Sequence, residues 1–222
     1  MFKGIISLLL VYLLINENGM NKIMDTESVI PLSKPQTTGK VSLEETLNKR
    51  RTIRSFSNKP ISVAELSQLL WAGQGITSPK GFRTAPSAGA LYPLEIFVVA
   101  GNVGGLESGI YRYKPQNHSL TKIISGDKRK DLADAALGQD QIETAAANII
   151  IAAVVKRTSS KYGARAERYV NMEVGHAAQN ILLQVQSLGL GACPIGAFYD
   201  EKVKKFLQLN EEEPLYILTI GK

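Results

Sequence analysis

Between positions 49 and 54 the chain reads Lys49-Arg50-Arg51-Thr52-Ile53-Arg54, four cations and a hydroxyl within six residues. Forked guanidinium donors and a short hydroxyl suit a phosphate, since one Arg can place paired N–H bonds on two oxygens. The same residues would also serve as the solvated basic end of a helix, where cations meet the negative pole of the dipole. A second stretch runs Arg83-Thr84-Ala85-Pro86-Ser87-Ala88-Gly89-Ala90-Leu91-Tyr92-Pro93. Its small residues let backbone approach a flat ring closely and turn N–H groups toward the ring's polar edge; the plainer reading is an ordinary loop before a strand. A third, Gly189–Ala197, is again small and Gly-rich, stiffened by Pro194, and reads as a loop. A fourth places Lys161 and Tyr162 ahead of Gly163, Arg165, Arg168 and Tyr169. An adjacent amine and phenol can move a proton in general acid–base chemistry, or form a cationic helix start with the ring on the core.

Other chemistries are excluded by what is missing. The chain has 222 residues, 44% hydrophobic and 21% charged, long enough for one domain with its own core. A single cysteine, Cys193, rules out an intrachain disulfide and any CxxC metal site, and two histidines make a polyhistidine site untenable. No metal ligand set is expected. No GxGxxG opens a helix after a strand and no GxxxxGK[ST] occurs, so neither a Rossmann dinucleotide site nor a P-loop is supported. The net charge of +6 favours an anionic partner. The basic runs at 128–130 and 202–205 carry no interleaved aromatics, so they read as solvated helix faces and not as a nucleic-acid platform.

The elements that must position these stretches are legible from caps and periodicity. Ser42 with Glu45 makes a capping box for a helix carrying Leu43 and Leu47, and Ser62 with Glu65 makes a second. Ile61 and Leu66 form a hydrophobic staple on that second helix, which Gly73 and Gly75 are expected to end. Glu95–Ala100 reads as a strand, Gly109–Tyr113 and Ser119–Ile124 as a hairpin, and Asp127–Leu137 as a helix. Asn148–Val155 is continuous and β-branched, as expected for a central strand covered on both faces. Val170, Val174, Ala177, Ala178, Ile181, Leu182, Val185 and Leu188 recur at a 3.6-residue period and predict a long helix over about 165–188. Asp200 is expected to cap a short helix, and Leu215–Ile220 reads as a last strand. Strands and helices do not alternate regularly, so the fold class is α+β.

Residues 25–41 read as a polar, Pro-containing lead-in, and residues 42–222 as the folded domain. Residues 2–15 are apolar behind Lys3, short for a spanning helix and closer to a secretory h-region, with no small-x-small site following. Residues 1–24 are therefore either an export or anchor signal, which would place the protein at a membrane or outside the cell, or a misassigned start, which would leave it cytoplasmic.

In this order and spacing, RRTIRSF and RTAPSAGALYPLE resemble the FMN-dependent nitroreductase family, and within it the SagB-type dehydrogenase branch, over residues 42–221. The resemblance implies a three-layer sandwich with a mixed, mainly antiparallel sheet flanked by helices. It also implies a homodimer built around the long helix, with one FMN per interface. By this resemblance Arg50, Arg51, Thr52 and Arg54 match the phosphate and ribityl segment. Pro86, Ser87, Ala88 and Gly89 match the loop meeting the flavin, in many relatives from the partner subunit. Pro194, Ile195 and Gly196 match the segment passing the isoalloxazine ring. Many relatives use a further Arg or Lys beyond the last strand, where this chain has Lys222. Lys161 and Tyr162 match a Lys-Tyr pair implicated in proton removal in the azoline-oxidising branch. The activity implied is hydride transfer from NAD(P)H through flavin N5 to a nitro, quinone or other small electrophilic acceptor. Two readings stand beside it: an azoline dehydrogenase acting on a peptide, and a membrane-tethered binding protein without turnover. His176 is expected to be a core or interface histidine and Cys193 a small buried residue. Glu173 and the Gln179-Asn180 pair stay open between a ligand contact and a bridging role.

Overall fold

The computed structural model describes residues 29–222, so residues 1–24 and the apolar stretch within them lie outside the described residues. Seven strands pair antiparallel into one sheet: β1 (Val29–Pro31), β3 (Leu94–Ala100), β5 (Gly109–Lys114), β6 (Ser119–Ser125), β7 (Ala147–Ala153), β8 (Gly191–Ile195) and β9 (Glu213–Gly221). Their order is β1-β6-β5-β3-β7-β9-β8, and a separate parallel pair joins β2 (Ile61–Ser62) to β4 (Val103–Gly104). The helices are α1 (Leu43–Lys49), α2 (Val63–Gln74), α3 (Arg129–Ala135), α4 (Asp140–Thr144), α5 (Val155–Tyr162), α6 (Ala166–Ser187) and α7 (Asp200–Phe206).

Side-chain alternation sorts the layers. On β3, Leu94, Ile96, Val98 and Ala100 face a core shared with α2 and α6, whereas Phe97 and Val99 face a second core with α3, α4 and α7. Every residue of β7 is buried, as its apolar run requires, although its neighbours β3 and β9 are antiparallel. The sheet is thus sandwiched between α2 and α6 on one face and α3, α4 and α7 on the other. This is the expected three-layer α+β architecture.

Local chemistry explains most element ends. Ser62 Oγ accepts from Glu65 N and the Glu65 carboxylate accepts from Ser62 N, so the second capping box closes, and its staple residues Ile61 and Leu66 are fully buried. At α1 only half the box forms, because Glu45 turns to Lys49 at 2.6 Å. Gly73 does not end α2. It lies inside the helix where α6 crosses, and a Cβ there would stand 2.9 Å from Ile181 Cδ1. Gly75 alone ends it. Tyr199, not Asp200, holds the cap position of α7, with no side-chain cap bond, and Asp200 is the first helical residue. The lead-in is more than extended chain, since β1 pairs with β6.

The lead-in is pinned by His118. Tyr113 Oη donates to His118 Nδ1 at 2.8 Å, leaving Nε2–H for Ser33 O at 2.9 Å and Ser67 Oγ at 2.8 Å. Burial lowers the His118 pKa, and the bond to Ser33 offsets part of that. A base whose folded pKa is depressed contributes stability above its unfolded value, near 6.5, that is lost as pH falls through it. Thermal unfolding should therefore show a fall in midpoint from about pH 7 to pH 5.5 that is absent in His118→Gln. An unchanged slope in that variant would remove His118 from the linkage.

Candidate functional site

The basic segment lies along the open side of β8. Thr52 bridges Ala192 in parallel register, and Ile53 N donates to Ala192 O at 2.8 Å. Two directly paired glycines make this approach possible. A Cβ on Gly191 would stand 3.0 Å from Ile53, and one on Gly221 would stand 2.8 Å from the Phe56 ring. The sequence expectation of a loop over Gly189–Ala197 is corrected here: Gly191–Ile195 is the edge strand β8, paired on one side with β9. Pro194 is tolerated there because an edge strand leaves one side without ladder bonds. The Ile195 side chain packs with Cys193 into the core shared with α3, α4 and α7, while Pro194 is half-buried and Gly196 exposed. Cys193 is buried as expected. Burial raises its pKa, and the nearby Arg54 side chain offsets part of the rise.

The cations divide their work. Lys49 pairs with Glu45, and Arg51 Nη1 turns back onto Asn48 O at 3.0 Å and Arg50 O at 2.8 Å, at the end of α1. Among the described residues Arg50 and Arg54 form no ion pair; they flank Thr52, which bridges β8, and the Arg54 side chain lies near Cys193. Lys222 lies in the same neighbourhood: its carbonyl accepts from Ser57 N at 2.5 Å, while its ammonium stands 3.5 Å from Glu65.

A second cluster forms around Gly89. Ala88–Ala90 makes a single 3-10 turn, and Gly89 carries φ +63°. A Cβ on Gly89 would stand 2.9 Å from Tyr162 Oη and 3.1 Å from Lys161 Nζ, so the fold brings the Lys-Tyr pair against the small-residue loop. The pair sits at the end of α5, a helix the sequence did not reveal because its VKRTSSKY has no apolar stripe. Tyr162 is braced edge-on by Tyr169, with centroids 5.0 Å apart, and Lys161 Nζ lies 5.5 Å from the Tyr162 ring. Pro86 and Gly89 are exposed, and Ser87 and Ala88 half-buried.

Behind this loop stands a polar group that spacing alone left open. Glu173 on α6 is only 2% exposed, and burial pushes its carboxyl up to about 7, partly offset by Ser87 and then Arg83. Arg83 Nη1 donates to the buried Gln74 Oε1 at 2.6 Å, and its guanidinium stacks 4.5 Å over Tyr92. Burial also lowers the Arg83 pKa, with Glu95 and Glu173 opposing. The signal for Glu173 was present: it falls three residues after Val170 on the buried face of the long helix, where a carboxylate has no water. Asn180 Nδ2 donates to Thr84 O at 3.2 Å, which gives it a bridging role within the chain. His176 is exposed, so it is not a core histidine; it lies on the solvent face of α6 with Met172.

Among the described residues no helix is long and apolar enough to cross a membrane, and no group of three His, Cys, Asp or Glu could hold a metal ion. Comparison with known proteins agrees with this geometry. A Methanocaldococcus jannaschii protein assigned as a nitroreductase is 46% identical over 182 residues, covering 82% of this chain and 91% of its own. The crystal structure of a Ralstonia eutropha protein assigned as a nitroreductase superposes with a TM-score of 0.77 at 31% identity, over 87% of this chain and 89% of that one. The Microcin B17-processing protein McbC of Escherichia coli is 24% identical over 169 residues, covering 72% of this chain and 62% of its own. The Nitroreductase family model matches residues 47–222, and the chain belongs to the nitroreductase family, a family of oxidoreductases.

Proposed function

We propose that this chain is an FMN-dependent oxidoreductase that carries electrons from NAD(P)H to a nitro, quinone or similar electrophilic acceptor. The observation that carries the reading is that Arg50 and Arg54, which flank the Thr52 bridge to β8, form no ion pair among the described residues. Their donor set fits a phosphate, and the side of the Pro194–Gly196 backbone turned away from β9 fits the polar edge of a flat ring. Arg51 caps α1 while Thr52 holds the segment against β8, and the Lys222 ammonium nearby is already paired with Glu65 at 3.5 Å. Bound there, FMN would supply two-electron hydride exchange. The chain's own work is to hold the phosphate, present a small-residue wall at Pro86–Gly89, and keep Lys161 and Tyr162 beside that wall.

We infer further that the functional unit is a homodimer. The β8 cluster and the Gly89 cluster are separate groups of residues in one chain, which suits a site assembled from two copies. Leu43 and Leu47 on α1 are 59% and 54% exposed, a pair of apolar side chains of the kind that subunits cover. Light scattering should give a mass twice that of the 24.2 kDa chain; a monomer at micromolar concentration would sink the dimer.

A second reading is favoured by the Lys161–Tyr162 contact with Gly89: a SagB-type azoline dehydrogenase acting on a peptide, with that pair moving the proton. The relative named as Microcin B17-processing supports it. One spectroscopic experiment separates the readings. The purified protein should be yellow or become so with FMN, lose its visible absorbance with NADH under anaerobic conditions, and regain it with a nitroaromatic. Bleaching by a thiazoline peptide but not by NADH would favour the dehydrogenase. A protein that stays colourless with added FMN would overturn both and leave a binding protein without turnover.

A further inference from the structure

Where β3, β5 and the start of α5 meet, the surface folds into a cleft of about 370 Å³. That size falls within the range of small-molecule sites, roughly 300–1,000 Å³. Arg83, Arg112, Lys114 and Arg157 line it, and Glu95 is the one carboxylate among its lining residues. Arg83, Arg112 and Lys114 are half-buried.

Hydrogen bonds fix these cations without neutralising them. Glu95 Oε1 accepts from Arg157 Nη2 at 2.6 Å, and Glu95 Oε2 accepts from Arg112 Nε at 3.3 Å. Arg112 Nη2 also donates to Glu212 Oε1 at 2.7 Å, whereas Arg83 is held by the neutral amide of Gln74. Four cations thus face two carboxylates, one of them, Glu212, outside the cleft lining. Among the described residues Arg83 and Lys114 form no ion pair. Arg83 spends only Nη1 on Gln74, and Arg112 keeps Nη1 unbonded. Unspent guanidinium N–H groups in a cleft of net positive charge suit a forked acceptor, and a carboxylate has that geometry. Glu95 sets the spacing of Arg112 and Arg157 before any ligand arrives, which lowers the ordering cost of binding.

The cleft adjoins the Lys161–Tyr162 cluster through two shared elements. Arg157 and Lys161 stand four residues apart on α5, so they are neighbours on one helix face with Cβ atoms about 5–6 Å apart. Arg157 Nη1 also donates to Tyr92 O at 3.1 Å, in the loop that carries Gly89. An acid group seated in the cleft has the Lys-Tyr pair one helical turn away.

On the reading that Lys161 and Tyr162 adjoin the reacting groups, we propose that this cleft is a carboxylate-binding subsite. Arg83, Arg112, Lys114 and Arg157 receive the acid group of the substrate, which is a small electrophile bearing a carboxylate.

The test compares 4-nitrobenzoate with 4-nitrobenzamide, an uncharged analogue of nearly the same shape. Calorimetric titration of the wild type should give a dissociation constant about tenfold lower for 4-nitrobenzoate, the effect of one charge-assisted hydrogen bond. Arg83→Gln removes a charge yet keeps a donor for Gln74, and Lys114→Gln removes a charge that is not ion-paired. Each should cut the preference to about threefold, and the double variant should abolish it. A merely loosened fold would weaken both ligands alike, so the ratio is the readout. Equal affinities in the wild type, or a ratio unchanged in both single variants, would overturn the proposal. A preference for NADPH over NADH that Arg83→Gln removes would assign the cleft to the donor's phosphate and would also overturn it. A wild type that binds no FMN would overturn the flavin reading, whereas the 4-nitrobenzoate titration needs no flavin and would still decide the cleft.

Discussion

Under the proposed FMN reading, replacing Arg50 and Arg54 together by Ala should lower FMN affinity on the order of a hundredfold, as fluorescence quenching would read it. A charge-assisted hydrogen bond contributes about 1.5–3 kcal/mol, and the two guanidinium groups act on one phosphate, so their effects overlap. A hundredfold is about 2.7 kcal/mol, just below the additive minimum of about 3, as overlapping effects require. The fold should tolerate the change. Neither side chain is ion-paired among the described residues, so no buried carboxylate is orphaned by their removal. The thermal midpoint should therefore move little, whereas Arg51→Ala should loosen α1, whose last carbonyls Arg51 satisfies. The affinity of the wild type should also weaken with added salt, because exposed cations are screened within about 10 Å at 0.1 M. An unchanged affinity in the double variant would refute the phosphate assignment.

Gly89→Val should lower turnover on the order of tenfold. Two physical effects converge at this position. A β-branched residue at φ +63° is strained whatever surrounds it. Its Cβ would also enter the space 2.9 Å from Tyr162 Oη and 3.1 Å from Lys161 Nζ, and these flexible ends must move away. The loss should not add to that of Lys161→Ala, since both changes remove the amine from the same place. A double variant no worse than the poorer single would support this reading. If the losses multiply, Gly89 acts on something other than the pair. If Lys161→Ala keeps full turnover, Lys161 leaves the mechanism and only its packing role remains.

Parts of the molecule that bury a strong pattern were legible in the chain. The long helix was read to within a residue at each end, because its apolar positions repeat over 22 residues and face one core. The capping box at Ser62 and the unbroken β7 run were equally plain, since each depends on neighbours in sequence. Elements without their own signal were missed. Helix α5 has no apolar stripe, and β8 is Gly- and Pro-containing, so its strand character comes from β9 and the Thr52 bridge. Gly73 looked like a stop because the sequence does not show that α6 crosses there. The candidate site followed the same division. Residue types named Arg50, Arg54, Gly89, Lys161 and Tyr162, but the chain did not say which cations were already engaged.

By itself, then, the sequence determined an α+β class, the membership that RRTIRSF and RTAPSAGALYPLE carry, and a list of candidate groups. These are properties of residue type and short spacing, which survive without knowing the path of the chain. Only the tertiary structure decided which groups are spent and which are free. Lys49 is engaged by Glu45 and Arg51 by the end of α1, while Arg50 and Arg54 have no ion pair among the described residues. Only the fold could set Lys161 and Tyr162 against Gly89, more than 70 residues away in sequence, and place Glu173 behind Ser87. Burial and distance are collective properties of the packed chain.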